Sequence, residues 1–391
     1  MSLIKYATFP TARMSVFYMV TGYKDLAVID FSTNGHGLYH YGHLPRLQPY
    51  VPCDIEKRFF STHLTEVDIA LGDTHRLFRA VEEAVNSGYH HVLLMPSSIA
   101  AVLGLDLESY AAELSLAFGV NVFTVSVGFH DDFYSGRENI LHTLATFFCK
   151  TKSPSEQNFY NLLGGSPLWQ AKESHRVLSM MLKERLGLDN GFDSLNADRA
   201  ALWSEAASAR LNIITSESAI PAAEYLYKKF GTPYLMFNAL GKRAEDAFLE
   251  HVANFFDTSY LAEEDTTYDF VLLQMKNILA VNHPKIICYA DIDCLSRIKK
   301  FFDELDFDIT YFCSHQNREY PVLSPDQLIE TYLHENVTVI SYDRVCRYFS
   351  HAVEIDRLGV DFSLQTPLYK PDWGKQGAYL FCENLSAAVF V

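Results

Sequence analysis

The feature that most constrains this chain is a repeated pairing. A short run that is apolar at nearly every position is followed by an amphipathic stretch of about a dozen residues or more. Residues 26–31 (LAVIDF), 91–95 (HVLLM), 120–127 (VNVFTVSV), 159–163, 211–215 (LNIIT), 234–237, 285–289 (KIICY), 309–313 and 337–341 (VTVIS) read as strands. Residues 74–87, 106–118, 137–149, 171–186, 219–230, 243–256 and 294–305 read as helices. In the first of these, Leu77, Val81 and Ala84 fall at helical spacing, and Gly231 follows another as a left-handed cap. Strands without a polar face must be covered on both sides, and strands joined through helices run parallel. The expected fold is therefore α/β, with three doubly wound, Rossmann-like parallel-sheet domains around a central cleft. Polar joints at 150–157 (KTKSPSEQ) and near 282–284 divide the chain into 1–150, 151–283 and 284–391. A length of 391 residues suits that division.

In such folds ligands gather beyond the C-terminal ends of the strands. The loops of interest are then 32–43, 96–101, 128–137, 216–220, 238–242 and 290–293. Lys and Arg total 32 against 48 Asp and Glu, a net charge of −16. Such a balance excludes a general nucleic-acid binder, which needs a basic face, and disfavours docking on anionic membranes. No apolar run is long enough to span a bilayer, and the first residues lack the apolar core of a secretory signal. A cytoplasmic location is expected.

The motifs of common chemistries are missing. No GxGxxG follows the first strand, and Gly35, Gly37 and Gly42 have the wrong spacing. Neither a phosphate-binding P-loop nor a GxSxG elbow occurs. Seven cysteines are widely spaced with no CxxC, and Cys149, Cys288, Cys313 and Cys382 lie in apolar strings that predict burial. His36, His40 and His43 would share one helical face and could meet a metal, yet no local carboxylate or cysteine completes the set. Asp291 and Asp293 could hold a divalent ion on a nucleotide sugar, or an Asp of this pair could cap the helix that begins at Cys294. His130, Asp131 and Asp132 could contact a ligand, or an Asp there could cap the next helix, and Ser or Thr near Glu66 and Asp68 could cap another.

Six segments, in order, resemble the nitrogenase component 1 family. They are LAVIDFSTNGHGLYHY, STHLTEVDIALGD, LLMPSSIAAVLGLDLESYAAELS, VFTVSVGFHDDFYSG, LNIITSESAIPAAEYLYKKFGTPYLMFNALG and HPKIICYADIDCLSRIKKFFDELDFDITYF. The resemblance implies an oxidoreductase subunit, a shared Fe–S cluster held by three N-terminal cysteine loops, and electrons from a separate ATP-driven iron protein. This chain departs from the pattern where the ligands should be. The three loops carry Pro10 and Thr11, then His36, then Ser98. Ser216 stands where the resemblance places a cofactor cysteine, and Trp373 where it places a histidine. Hydroxyls and indole are poor partners for iron, which favours soft thiolate.

The resemblance thus implies a nitrogenase component 1-like subunit that is the ligand-poor partner or a scaffold paralogue, with catalysis left open. No cofactor is expected on this chain alone, though an Fe–S cluster shared with a partner, with His36 as one ligand, stays open. A homodimer or a heterodimer with a sister subunit is expected, with Tyr39, His40 and Tyr41 near the contact. The candidate ligand-lining residues are His36, His63, Ser98, His130, Tyr134 and Ser216. The alternatives are a metal-dependent, glycosyltransferase-like nucleotide-sugar enzyme and a small-molecule binding protein.

Overall fold

Among the described residues, twelve short strands fall into three four-stranded parallel sheets, and each is wound the same way. The structure is a computed structural model, and it describes residues 11–33, 55–97, 100, 104–128, 131–152, 159–164, 169–262, 264–355 and 373–389. The first sheet is built from helix α1 (Ala12–Val20), β1 (Leu26–Asp30), β2 (Phe59–Ser61), α2 (Glu66–Leu71), α3 (His75–Asn86), β3 (His91–Met95), α4 (Leu107–Phe118), β4 (Asn121–Thr124) and α5 (Phe133–Phe148). The second follows as β5 (Phe159–Leu163), α6 (Trp169–Leu186), β6 (Asp189–Asp193), β7 (Leu211–Ile214), α7 (Ile220–Phe230) and β8 (Tyr234–Met236). Next come α8 (Lys242–Phe255) and α9 (Thr266–Asn282). The third sheet comprises β9 (Ile286–Ala290), α10 (Ile292–Glu304), β10 (Thr310–Cys313), α11 (Pro325–Tyr332), β11 (Thr338–Ser341), α12 (Asp343–Cys346) and β12 (His351–Glu354), with α13 (Gly374–Val389) after it.

The strand orders are β2-β1-β3-β4, β6-β5-β7-β8 and β10-β9-β11-β12. In each, the chain winds outward from the first strand, crosses back, and continues on the other side. The direction reverses between β1 and β3, between β5 and β7, and between β9 and β11. Those crevices are where doubly wound sheets accept ligands.

Apolar strands covered on both faces account for the cores. Every residue of β1 and of β9 is buried. On one face of the first sheet Ala27, Ile29, Val92 and Leu94 meet Leu77, Val81 and Ala84 of α3 and Leu107, Ala111 and Leu114 of α4. In the third sheet, Ile286 and Cys288 pack among residues of α9, α10 and α13, while Ile287 and Tyr289 pack with Leu328 and Ile329 of α11. Each fully buried leucine or isoleucine contributes about 1.5–3 kcal/mol. The helix ends are set by local chemistry. Gly231 closes α7 in the left-handed region at φ 73°, as its position predicts.

By contacts the chain divides into two units. One holds 10–175 and 189–236, and so the first two sheets; the other holds 176–188 and 237–391, and so the third. The division falls inside α6. In the first unit α1 lies directly on α5, and a methyl group on Gly136 would come within 2.3 Å of the Ala12 carbonyl oxygen. Only glycine permits that approach. Among the described residues no helix is long and apolar enough to cross a membrane.

Candidate functional site

At the first crevice the residues beyond β1 are tied down. Asp30, at the end of β1, is fully buried and paired with the guanidinium of Arg13 from α1. The Ser32 hydroxyl donates to Asp30 Oδ2 at 2.7 Å, and the Ser32 amide donates to Thr62 Oγ at 3.0 Å. Thr11 caps α1, its hydroxyl oxygen accepting from the Met14 amide at 3.4 Å. His63 follows β2, exposed and at φ 47°. Tyr134 is the second residue of α5, half-buried, with the Arg137 guanidinium over its ring at 5.2 Å.

At the second crevice three side chains from separate elements converge. His175, on α6, is 2% exposed. Its Nδ1 lies 2.8 Å from Asp193 Oδ1 at the end of β6, and its Nε2 lies 2.7 Å from Thr215 Oγ, one residue past β7. Asp193 is itself held, because Oδ1 also accepts from the Leu195 amide at 2.9 Å and Oδ2 from Asn196 Nδ2 at 2.8 Å. Burial alone would raise the Asp193 carboxyl, but attraction to His175 and these hydrogen bonds outweigh it and hold it below the usual carboxylate value. Next to it, burial lowers the Lys172 ammonium, partly offset by Asp193. Thr215 is partly exposed, whereas its neighbour Ser216 is 2% exposed. The Ser216 hydroxyl oxygen accepts from the Ser218 amide at 3.3 Å and lies 2.8 Å from the Ser218 hydroxyl. Gly164, just past β5, has φ 106°, and a methyl there would come within 3.0 Å of the Ser216 amide nitrogen.

The third crevice is closed by Asp291 and Tyr342, the residues just past β9 and β11. Asp291 caps α10, its Oδ1 accepting from the Cys294 amide at 2.9 Å. Its Oδ2 accepts from the Tyr342 hydroxyl at 3.0 Å, and that hydroxyl in turn accepts from the Asp291 amide. The two are 4% and 3% exposed. Asp291 thus serves as a helix cap with both oxygens engaged, not as half of an open carboxylate pair.

His36, Ser98 and His130 lie outside the described residues, as do His40, His43, Tyr39, Tyr41, Pro10 and Cys53. Of the candidate residues, the structure places His63 and Tyr134 on the first sheet's elements and Ser216 beside the second crevice. Asp132 caps α5 and Thr65 caps α2, with Asp68 completing a capping box. Trp373, 7% exposed, packs edge-on against Phe237 with ring centroids 5.0 Å apart, and its indole N–H has no hydrogen-bond partner. His175, Asp193 and Thr215 carry no spacing motif that sequence reasoning could have found.

The described members of the ligand set do not fit a thiolate-held cluster. The hydroxyls of Thr11 and Ser216 serve as caps. Among the described residues no group of three or more His, Cys, Asp or Glu is placed to hold a metal. The six described cysteines are free thiols, and burial pushes those of Cys149 and Cys382 up to about 12.

The profile of the nitrogenase component 1 type oxidoreductases matches residues 11–361. The chain is 24% identical, over 215 residues, to the nitrogenase molybdenum-iron protein alpha chain of Methanosarcina barkeri, covering 52% of this chain and 38% of that one. It is 22% identical over 264 residues to the nitrogenase iron-molybdenum cofactor biosynthesis protein NifE of Clostridium pasteurianum, covering 63% and 56%. The matched stretches thus span roughly half of these relatives' lengths or less. A solved structure of nitrogenase Cp1 at pH 6.5 superposes on all of this chain and 94% of its own with a TM-score of 0.76 at 15% identity, a likeness of fold. The three identically wound sheets and the match across residues 11–361 make this chain a member of the nitrogenase component 1 type oxidoreductase family.

Proposed function

We propose that the chain is a ligand-poor subunit or scaffold of a nitrogenase component 1-like assembly, with the metal-holding thiolates supplied by a sister chain. The observation that carries this reading is Ser216. It stands where the resemblance places the cofactor cysteine, yet its hydroxyl is spent on Ser218 and is 2% exposed. Serine is also a far weaker iron ligand than thiolate at neutral pH. The relatives named for the molybdenum-iron protein and for cofactor biosynthesis support a role in either a reductase or its assembly. In the reductase reading, an ATP-driven iron protein would serve the sister chain, and this one would shape the substrate's surroundings. The nucleotide-sugar reading loses its support, because Asp291 is engaged on both oxygens.

The test is expression of the chain alone and then with a cysteine-bearing sister. Alone, it should be colourless and lack stoichiometric iron. With the sister, it should co-purify as a complex that carries iron. Brown protein from the single chain, with about four irons each and thiolate charge-transfer absorption, would refute the reading. So would a monodisperse monomer that captures no sister chain at tens of micromolar.

A further inference from the structure

We propose that Thr215, His175 and Asp193 form a nucleophilic hydroxyl site, at the crevice between β5 and β7, that takes the acyl group of an activated ester. The three residues come from a helix and two strand ends, and nothing in the family assignment brings them together. The contacts follow the order that activates a hydroxyl. An acceptor carboxylate orients an imidazole, and the imidazole's other nitrogen meets an O–H. In the tautomer that carries its proton on Nδ1, toward Asp193 at 2.8 Å, the Nε2 lone pair faces Thr215 at 2.7 Å. A competing contact from Thr215 Oγ to the Leu163 carbonyl is 3.4 Å, at the outer limit of a hydrogen bond, so the shorter contact takes the hydroxyl proton.

Place and access support the same reading. Strand order reverses between β5 and β7, and Thr215 is the first residue beyond β7. It is partly exposed while His175 is sealed.

In the proposed step, Thr215 Oγ attacks the carbonyl carbon of the ester as its proton passes to His175 Nε2. The bond to the leaving alcohol breaks, and the alcohol takes that proton. Water, deprotonated by the same Nε2, then attacks the Thr215 ester. This releases the carboxylic acid and returns the proton to Thr215. His175 is the catalytic base, and Asp193 positions it.

The probe is 4-nitrophenyl acetate, followed by nitrophenolate release and by peptide mapping of the acetyl group. Acetyl should map to Thr215 in the native chain and in Thr215→Ser, and be absent from that peptide in Thr215→Val. His175→Gln should slow acetylation about 100-fold or more, with unchanged circular dichroism. Acetyl found only on other residues, equal nitrophenolate release by Thr215→Val, or a folded His175→Gln that reacts at the native rate would each overturn the proposal. Should His175→Gln fail to fold, the Thr215→Ser and Thr215→Val pair decides alone, because both side chains fit the same space.

Discussion

In the second sheet the residues just past the first and third strands, in chain order, are Gly164 and Thr215. In the third sheet the residues at the same two positions are Asp291 and Tyr342. The strand order is identical, so the backbone offers the same crevice twice. What differs is the side chains that fill it. Asp291 and Tyr342 satisfy one another and a helix end, leaving no polar group turned to solvent by more than a few per cent. Gly164 adds no side chain, and Thr215, a partly exposed residue, sets its hydroxyl against a buried imidazole. The lesson is that a ligand crevice is a default of this topology, and two residues suffice to seal it. The third crevice accordingly contributes stability, while the second holds reactive chemistry.

Four substitutions can break that contrast. Asp291→Ala should have the largest effect on stability, about 3 kcal/mol by urea unfolding. It removes a helix cap and the carboxylate that accepts from the buried Tyr342 hydroxyl. Ester reactivity at Thr215 should be untouched, and a loss of both would end the distinction between the crevices. Asp193→Asn comes next, at roughly 2 kcal/mol near neutral pH. Because the folded Asp193 carboxyl lies below its unfolded value, its stabilisation is complete above the ordinary carboxylate range. It is lost as pH falls through the folded value. The gap between native and variant should therefore close in acid. A gap that widened there would reverse the assigned sign.

Tyr342→Phe should cost about 1–2 kcal/mol, because the Asp291 amide then loses its partner in a dry site. Thr215→Ala should cost less, under about 1 kcal/mol, since water can take the place the hydroxyl leaves at this partly exposed residue and serve His175. Equal costs for these two would show that the second crevice is as closed as the third.

The centre of each sheet was legible in the sequence, together with one of its two edges, β4, β8 or β10, and the other edge was not. β1, β3, β5, β7, β9 and β11 were foreseen from apolar runs, because a strand buried on both faces has no choice of residue type. The strands Phe59–Ser61, Asp189–Asp193 and His351–Glu354 were missed, and all three are edge strands. An edge is short and half solvated, so DNGFD and HAVE carry no period to read. Capping at 131–132, at 291–293 and before Glu66 was readable because capping is a local affair, and the residues that cap are Asp132, Asp291 and Thr65. The site was legible only as a loop. Reading 216–220 as a ligand loop came within one residue of Thr215, but the strand's end turns Ser216 inward and leaves Thr215 accessible. His175 looked like one more polar position on an amphipathic helix. Its role depends on Asp193 and Thr215, which meet it only after the strands have crossed.

The break inside α6 has a consequence for synthesis. Residues 176–188 belong with the unit that carries the third sheet, while the residues on either side belong with the first two. Leu178 and Leu182, buried in the finished protein, sit in that stretch. On a ribosome adding about 5–20 residues per second, the strands of the third sheet, through Glu354, follow them by roughly ten to thirty seconds. The unit that carries the third sheet therefore cannot close until both of its separated segments have been made.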